Sequence, residues 1–570
     1  MQELNEEQTF FLIDQDLHLE TTNFMGRVEL ANTRVFTDSR PFSHSLLRPF
    51  ASDHGNAPVF RYGRMFRHPE LPQFRPSKES LIELGLDMKE ELSPGENRNI
   101  PAGYVYLGQF IDHDLSFNTK TNMTPGGEEP IIDETSFRSP TLDLDSLYGL
   151  NPAQFKLTEF GGKVYQEDGV RLRFGQTHKD TDIPDAPVPP NDLPRNGDPQ
   201  KRELAAVVDP RNDENLATAQ THLSFIKFHN AVVDSLAGSL SGNKLFEAAR
   251  TKVIRHYQWI ILRDYLPKVI EKETLDDVIE NGCRYLMFEA GETPAVPIEF
   301  AMAAFRFGHS MVNRTYEWNR FFQTHPPGFH SASIDRLFMF TGFGSNNLFN
   351  KKQLLNTWVI DWSRFFDFTD IPGITNNQFS NHARKIVPSV VAGLTNIPSF
   401  IKGEDRLMSM LPSRNLLRGR DTGLPTGQCV AQRIGAAELT PNQIKNGASA
   451  RRRDILERSG FDRFTPLWYY ILKEAEECHE GERLGPVGSR IVAETFVAII
   501  KNSEVSILPK ETPGGPIWEP SLGVRKGQFS MPELLFFVHQ ATGDHINPLG
   551  DGIDNRRMAD HVRRSRRPSA

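Results

Sequence analysis

Apolar residues recur at helical spacing along much of the chain. Between Val253 and Pro267 they stand at 253, 257, 260, 261 and 265, broadly one face of a helix that the proline is expected to end. Residues 216–236 and 488–500 carry similar stripes, whereas strand-like alternation is rare and short. The pattern predicts a mainly α-helical protein with very little β-structure and one large core over residues 101–545. Residues 1–100 are rich in Pro, Phe and His with little periodicity, as in Arg67-His68-Pro69, and predict an extended arm wrapping that core. Residues 176–202 hold six prolines, several Asp and few large apolar side chains, which predicts a surface loop within the main unit. Residues 546–570 form a tail.

Composition narrows the class. A chain of 570 residues with 38% hydrophobic and 24% charged residues can bury a large interior, and its 40 Phe against 11 Tyr and 6 Trp make that interior aromatic. The net charge of −8 gives no overall attraction to nucleic acid or to an anionic membrane. The exception is local: Arg563, Arg564, Arg566 and Arg567 make the tail basic, either as a solvated end or as a contact for an anionic partner. Cys283, Cys429 and Cys478 are odd in number and far apart, which excludes a disulfide framework and a paired-cysteine metal knuckle. The acidic start, Met1 to Glu7, does not resemble a secretory signal, and no run approaches the apolar length of a transmembrane span. The expectation is a soluble protein, with secretion and a cytoplasmic location both open and the oligomeric state undetermined.

Four segments carry candidate chemistry. In Gly108-Gln109-Phe110-Ile111-Asp112-His113-Asp114-Leu115, Gln109, Asp112 and His113 share one helix face, and Asp114 points about 100° away from His113. Such a face either lines a reaction pocket or is a solvated surface. In Ser139-Pro140-Thr141-Leu142-Asp143-Leu144-Asp145, oxygen-bearing side chains alternate, so that extended backbone would aim them one way as hard ligands for Ca²⁺, the alternative being a capped turn. Asp209-Pro210-Arg211-Asn212-Asp213-Glu214 reads as a helix start, with Arg211 and Glu214 at the spacing of an ordinary intrahelical pair. In Phe305-Arg306-Phe307-Gly308-His309-Ser310, a histidine sits in apolar surroundings beside a glycine that permits close approach of a flat partner; a hydrogen-bonded core histidine fits equally.

In this order, and with Arg414-Asn415-Leu416-Leu417-Arg418 after them, these segments resemble the animal-type haem peroxidases of the peroxidase and cyclooxygenase superfamily, over roughly residues 100–540. The resemblance implies a haem b cofactor with His113 as the distal histidine, Arg211 as the distal arginine, Gln109 at a distal water or halide, and His309 as the axial iron ligand. It further implies that Asn415 partners His309, that Arg306 and Arg418 lie near the haem, and that Asp112 and Glu214 form ester bonds to it. Asp114, Ser139, Thr141, Asp143 and Asp145 match the family's calcium site, which would let one ion fix the distal helix. The implied reaction reduces hydrogen peroxide and oxidises a small electron donor.

Two departures shape the expected specificity. Asn215 stands where some members carry a methionine bonded to a haem vinyl, so bromide, iodide, thiocyanate or phenols are expected rather than chloride. Asp145 stands where a hydroxyl residue is common, which adds charge without removing an oxygen ligand. Two other readings have distinct signatures. Fatty-acid dioxygenases and cyclooxygenases use a radical tyrosine, which in cyclooxygenases lies three residues before the axial histidine, and that position here is Arg306. A non-catalytic adhesion protein need not keep His113, Arg211, His309 and Asn415 together.

Overall fold

The computed structural model describes residues 60–550 apart from 67–70, 90–92, 118–134, 196–203, 289–291, 326–329, 340, 342–352, 396–409, 511–513 and 545. The basic tail, Arg67-His68-Pro69 and most of the expected N-terminal arm lie outside the described residues. Helices dominate: α1 (Lys78–Asp87), α2 (Gly103–Leu115), α3 (Leu216–Leu236), α4 (Gly242–Ile260), α5 (Lys272–Asn281), α6 (Leu411–Asp421), α7 (Gly427–Ile434), α8 (Ala450–Arg458), α9 (Leu467–His479), α10 (Pro486–Asn502) and α11 (Met531–Thr542). Among the described residues the strands pair only as two-stranded antiparallel ribbons, so the mainly α expectation holds.

The centre is α3, which packs against α2, α4 and α11. It starts where the Asn215 side chain accepts a hydrogen bond from Thr218 N at 2.9 Å, an N-cap of the kind Asn favours. Aromatic rings lock α2, α3 and α4 together: Phe110 stacks on Phe225 with centroids 4.7 Å apart, and Tyr257 meets both edge-on. Each of these rings is fully buried, a contribution of about 1.5–3 kcal/mol per large apolar side chain. On its other side α2 packs against a 3₁₀ segment, Ala304–Met311, which also leans on α9 and α10. Thus α2 lies between the central helix and the segment that carries His309.

Three local expectations change. Pro267 does not end the helix over 253–265: α4 runs to Ile260, a π turn covers Ile261–Tyr265, and helix continues over Leu266–Val269, with the proline directly after the π turn. The π turn brings Tyr265 against α2, where a side chain at Gly108 would place its Cβ 2.4 Å from the tyrosine oxygen; only glycine admits that approach. Residues 78–87 are helical rather than extended, capped by Ser77 and packed on α6. Finally, residues 139–144 do not extend as a strand. Hydrogen bonds among their own side chains bend them, and Leu144 adopts a left-handed φ of 59° before a short helix at Asp145–Tyr148.

Candidate functional site

The expected residues converge from four parts of the chain. On α2, His113 is buried, and its Nδ1 lies 2.8 Å from Asn212 Oδ1. Burial first, and the Arg211 charge second, lower its pKa to about 4 against the pull of Asp209 and Asp112, so the ring is neutral at pH 7. Gln109, one helical turn earlier, accepts from Asn215 Nδ2 at 3.1 Å and from Thr218 Oγ1 at 2.7 Å, which ties the face of α2 to the start of α3.

Arg211 is held by an acid that sequence reasoning passed over. Asp209 caps a 3₁₀ turn, Pro210–Asp213, and its carboxylate accepts from Arg211 Nε at 3.0 Å and from Nη2 at 2.7 Å. The same carboxylate accepts from Arg138 Nε and Nη2, at 3.1 and 2.7 Å. Despite complete burial, the two guanidinium groups hold Asp209 far below the usual carboxylate range. Both arginines also donate to the carbonyl oxygen of His113, at 3.0 and 3.1 Å. Asp209 therefore positions Arg211 and, through both arginines, the backbone of His113. Arg211 pairs with this acid and not with Glu214, as the i, i+3 spacing had suggested. The available signal was Asp before Pro at a helix start.

On the opposite side, His309 is half-buried on the 3₁₀ segment, with the Asn415 side-chain amide 2.9 Å from its Nδ1. Burial and then the charges of Arg306, Arg414 and Arg418 push its pKa well down. Arg414 itself drops to about 9 because it is desolvated and repelled by Arg418 and Arg306, with Glu214 opposing. Two carboxylates link the halves. Asp112 Oδ2 lies 3.9 Å from Arg306 Nη1, and Glu214, whose pKa burial raises to about 7, lies within the electrostatic reach of Arg211 and Arg414. The half-buried Gly308 beside His309 faces open space, with no atom from outside its own local segment within 4 Å of where a Cβ would stand.

The expected calcium residues are neighbours but are not gathered. Asp114 turns away from the His113 face, as its helix position demands. Its oxygens accept from Leu144 N, Ser146 N and Ser146 Oγ, at 3.2, 3.2 and 2.8 Å. Ser139 Oγ lies 2.8 Å from Thr141 Oγ1 and donates to Asp143 Oδ1 at 3.0 Å, while Ser139 N donates to Asp145 Oδ2 at 2.8 Å. Burial and then Asp143 raise the Asp114 pKa to about 7, and burial raises Asp143 and Asp145 as well. Asp145 Oδ1 is buried without a hydrogen bond but lies 3.5 Å from Arg138 Nη1. Among the described residues no three His, Cys, Asp or Glu side chains converge as a metal cage.

A cavity of about 590 Å³ lies elsewhere. It lies at the N-terminal end of α2, lined by Tyr104, Trp259, Arg263 and Phe366, and includes none of the expected site residues. The site is defined by the convergence of side chains, not by that cavity. No described helix is long and apolar enough to cross a membrane.

Two imidazoles on adjoining helical segments, each with a side-chain amide at its Nδ1, and a cluster of arginines around the second fit a helical fold built about a flat anionic cofactor. Residues 132–499 match the family model described as animal haem peroxidase, and the chain belongs to that family. It is 22% identical over 445 residues to heme peroxidase 2 of Caenorhabditis elegans, covering 70% of this chain and 58% of that one. It is 29% identical over 195 residues to thyroid peroxidase of Sus scrofa, covering 32% of this chain and 20% of that one. The chain thus spans little more than half of the first relative and a fifth of the second. Peroxidase A from Dictyostelium discoideum superposes with a TM-score of 0.53 at 17% identity, covering 80% of this chain and 89% of that one. A fatty acid alpha-dioxygenase of Oryza sativa, solved with palmitic acid, gives 0.50 at 12% identity, covering 97% of each. At these identities the shared property is the fold.

Proposed function

We propose that this chain reduces hydrogen peroxide at a bound haem b and oxidises bromide, iodide, thiocyanate or phenols. The observation that supports this most is the distal assembly, in which a neutral buried imidazole and an arginine are fixed by one carboxylate. His309 would hold the iron through Nε2, with Asn415 orienting its ring through Nδ1. Arg306, Arg414 and Arg418, repelling one another, suit the anionic carboxylates of the porphyrin, and the open space at Gly308 suits a flat partner. Asp112 and Glu214 are the carboxylates for the ester bonds. When bound, the haem supplies the redox-active iron at which the peroxide oxygen–oxygen bond is broken.

The protein's own groups then have defined tasks. His113 takes a proton from one peroxide oxygen and returns it to the leaving oxygen, which departs as water. Arg211 stabilises the negative charge that develops meanwhile. Gln109 places an amide beside them to hold a water or a halide. Asn215 engages Gln109 and caps α3 with its two amide ends, and it has no sulfur for a vinyl bond, so chloride is outside the proposed range.

Calcium is proposed at Asp114, Ser139, Thr141, Asp143 and Asp145 on the chemistry of the set: all donors are oxygen, and burial and then neighbouring carboxylates raise the pKa of Asp114 and Asp145, which a cation would lower. Binding would require the loop to draw them together. Asp114→Ala is expected to lose calcium, read by elemental analysis, and haem, read by Soret absorbance; retention of both overturns the assignment.

The function is tested by adding peroxide to the haem-reconstituted protein with bromide, iodide or a phenol, and comparing oxygen uptake on a fatty acid. Donor oxidation without oxygen uptake is expected. Fatty-acid-dependent oxygen uptake would point to a dioxygenase, and absence of haem binding to an adhesion role.

A further inference from the structure

Peroxide reduction by a histidine base requires one particular tautomer, because a neutral imidazole carries a single N–H and only the other nitrogen has a lone pair to receive a proton. His113 and His222 are both buried, and neither has a carboxylate among its hydrogen-bond partners. Between them sits Asn212, fully buried in the 3₁₀ turn Pro210–Asp213. Its Oδ1 lies 2.8 Å from His113 Nδ1, and its Nδ2 lies 2.9 Å from Nδ1 of His222 on α3.

We infer that Asn212 is a positioning residue that fixes the tautomer of His113, with His222 Nδ1 meeting the other end of the same amide. The amide oxygen can only accept, so His113 must carry its hydrogen on Nδ1, and Nε2 is left with a free lone pair. The amide nitrogen can only donate, so His222 Nδ1 must be unprotonated. Rotating the amide by 180° would reverse both bonds and put the His113 hydrogen on Nε2, where it could not act as base. In the orientation the structure shows, the NH₂ group faces His222 Nδ1, which accepts from it in the tautomer protonated on Nε2. The chain His113–Asn212–His222 links α2, the turn that carries Arg211, and α3 without a mobile charge, so the base is set by hydrogen-bond direction alone.

The inference rests on the proposed peroxidase role, and its test separates the two. The carbon monoxide adduct of the ferrous, haem-loaded protein reports the distal tautomer, because an N–H aimed at the bound molecule lowers its C–O stretch and a lone pair does not. Wild type is expected to show only the higher-frequency band at pH 7. Asn212→Ala is expected to add a lower-frequency band and to slow the peroxide reaction at least tenfold, whereas Asn212→Asp, which keeps the acceptor, restores the wild-type band. His222→Leu leaves Asn212 in place and is expected to give a smaller shift in the same direction; it carries the test should Asn212→Ala not take up haem. A wild-type protein with the lower band, or variants with unchanged band and rate, would overturn the inference while leaving the peroxidase reading intact. Failure of wild type to bind haem would overturn both.

Discussion

The two halves of the site hold their histidines in contrasting ways. On the distal side charge is balanced within the protein: Asp209 binds Arg138 and Arg211, both guanidinium groups fasten the His113 backbone, and an uncharged amide meets the ring. On the proximal side positive charge accumulates. Arg306, Arg414 and Arg418 all act on His309, and Arg414 loses basicity through burial first and then repulsion by Arg418 and Arg306. The contrast teaches that one carboxylate organises the His113 half, whereas the His309 half is surrounded by arginines, which in the proposed function would meet the carboxylates of the haem.

The largest expected effects separate the halves by function. His113→Ala should retain haem yet slow the peroxide reaction by about 100- to 10,000-fold, the range for loss of a general acid–base group, measured by stopped-flow at pH 7. Next, Asp209→Asn should strike the distal half structurally. It leaves two arginines around a neutral amide, and breaking a buried ion pair costs about 3–5 kcal/mol, read by denaturant unfolding. Equal stability of the variant would show that the distal charges are not mutually dependent.

A smaller effect is expected where the halves meet. The Glu214 pKa is raised to about 7, so its contribution to stability is fully present below the ordinary carboxylate value of about 4.5 and is lost as pH rises through about 7. Glu214→Gln cannot ionise, and should therefore raise the Tm of the haem-free protein relative to wild type at pH 8 but not at pH 4. The smallest expected change is in the pH profile. With a His113 pKa of about 4, the imidazole stays neutral from pH 8 to pH 5, so the peroxide rate constant should be flat there and fall only as pH drops through about 4. A fall near pH 6.5 would mean that His113 is as solvated as a free histidine.

The sequence carried the contrast unevenly. Helical stripes foretold α3 and α10, and the one-turn spacing of Gln109, Asp112 and His113, with Asp114 turned away, is what α2 shows. The site pairings were another matter, because they join distant segments: His113 meets Asn212 across 99 positions, and Arg138 meets Asp209 across 71. No local periodicity encodes such contacts. Asp209 was visible only as a residue before a proline at a helix start, and its role as the anchor of two arginines depends on how the 3₁₀ turn packs on α2. The π turn at Ile261–Tyr265 was equally hidden, since the apolar stripe continues through it while Tyr265 is redirected towards Gly108. Neighbouring segments, more than either histidine, made the site recognisable; His113 and His309 each resemble an ordinary buried histidine when read alone.

The central claim is that His309 binds the iron and His113 faces it from the other side. Resonance Raman spectra of the ferrous, haem-reconstituted protein test this most directly through the iron–histidine stretching band. The band should be present in wild type, persist in His113→Ala, and vanish in His309→Ala. Its persistence in His309→Ala and loss in His113→Ala would contradict the account.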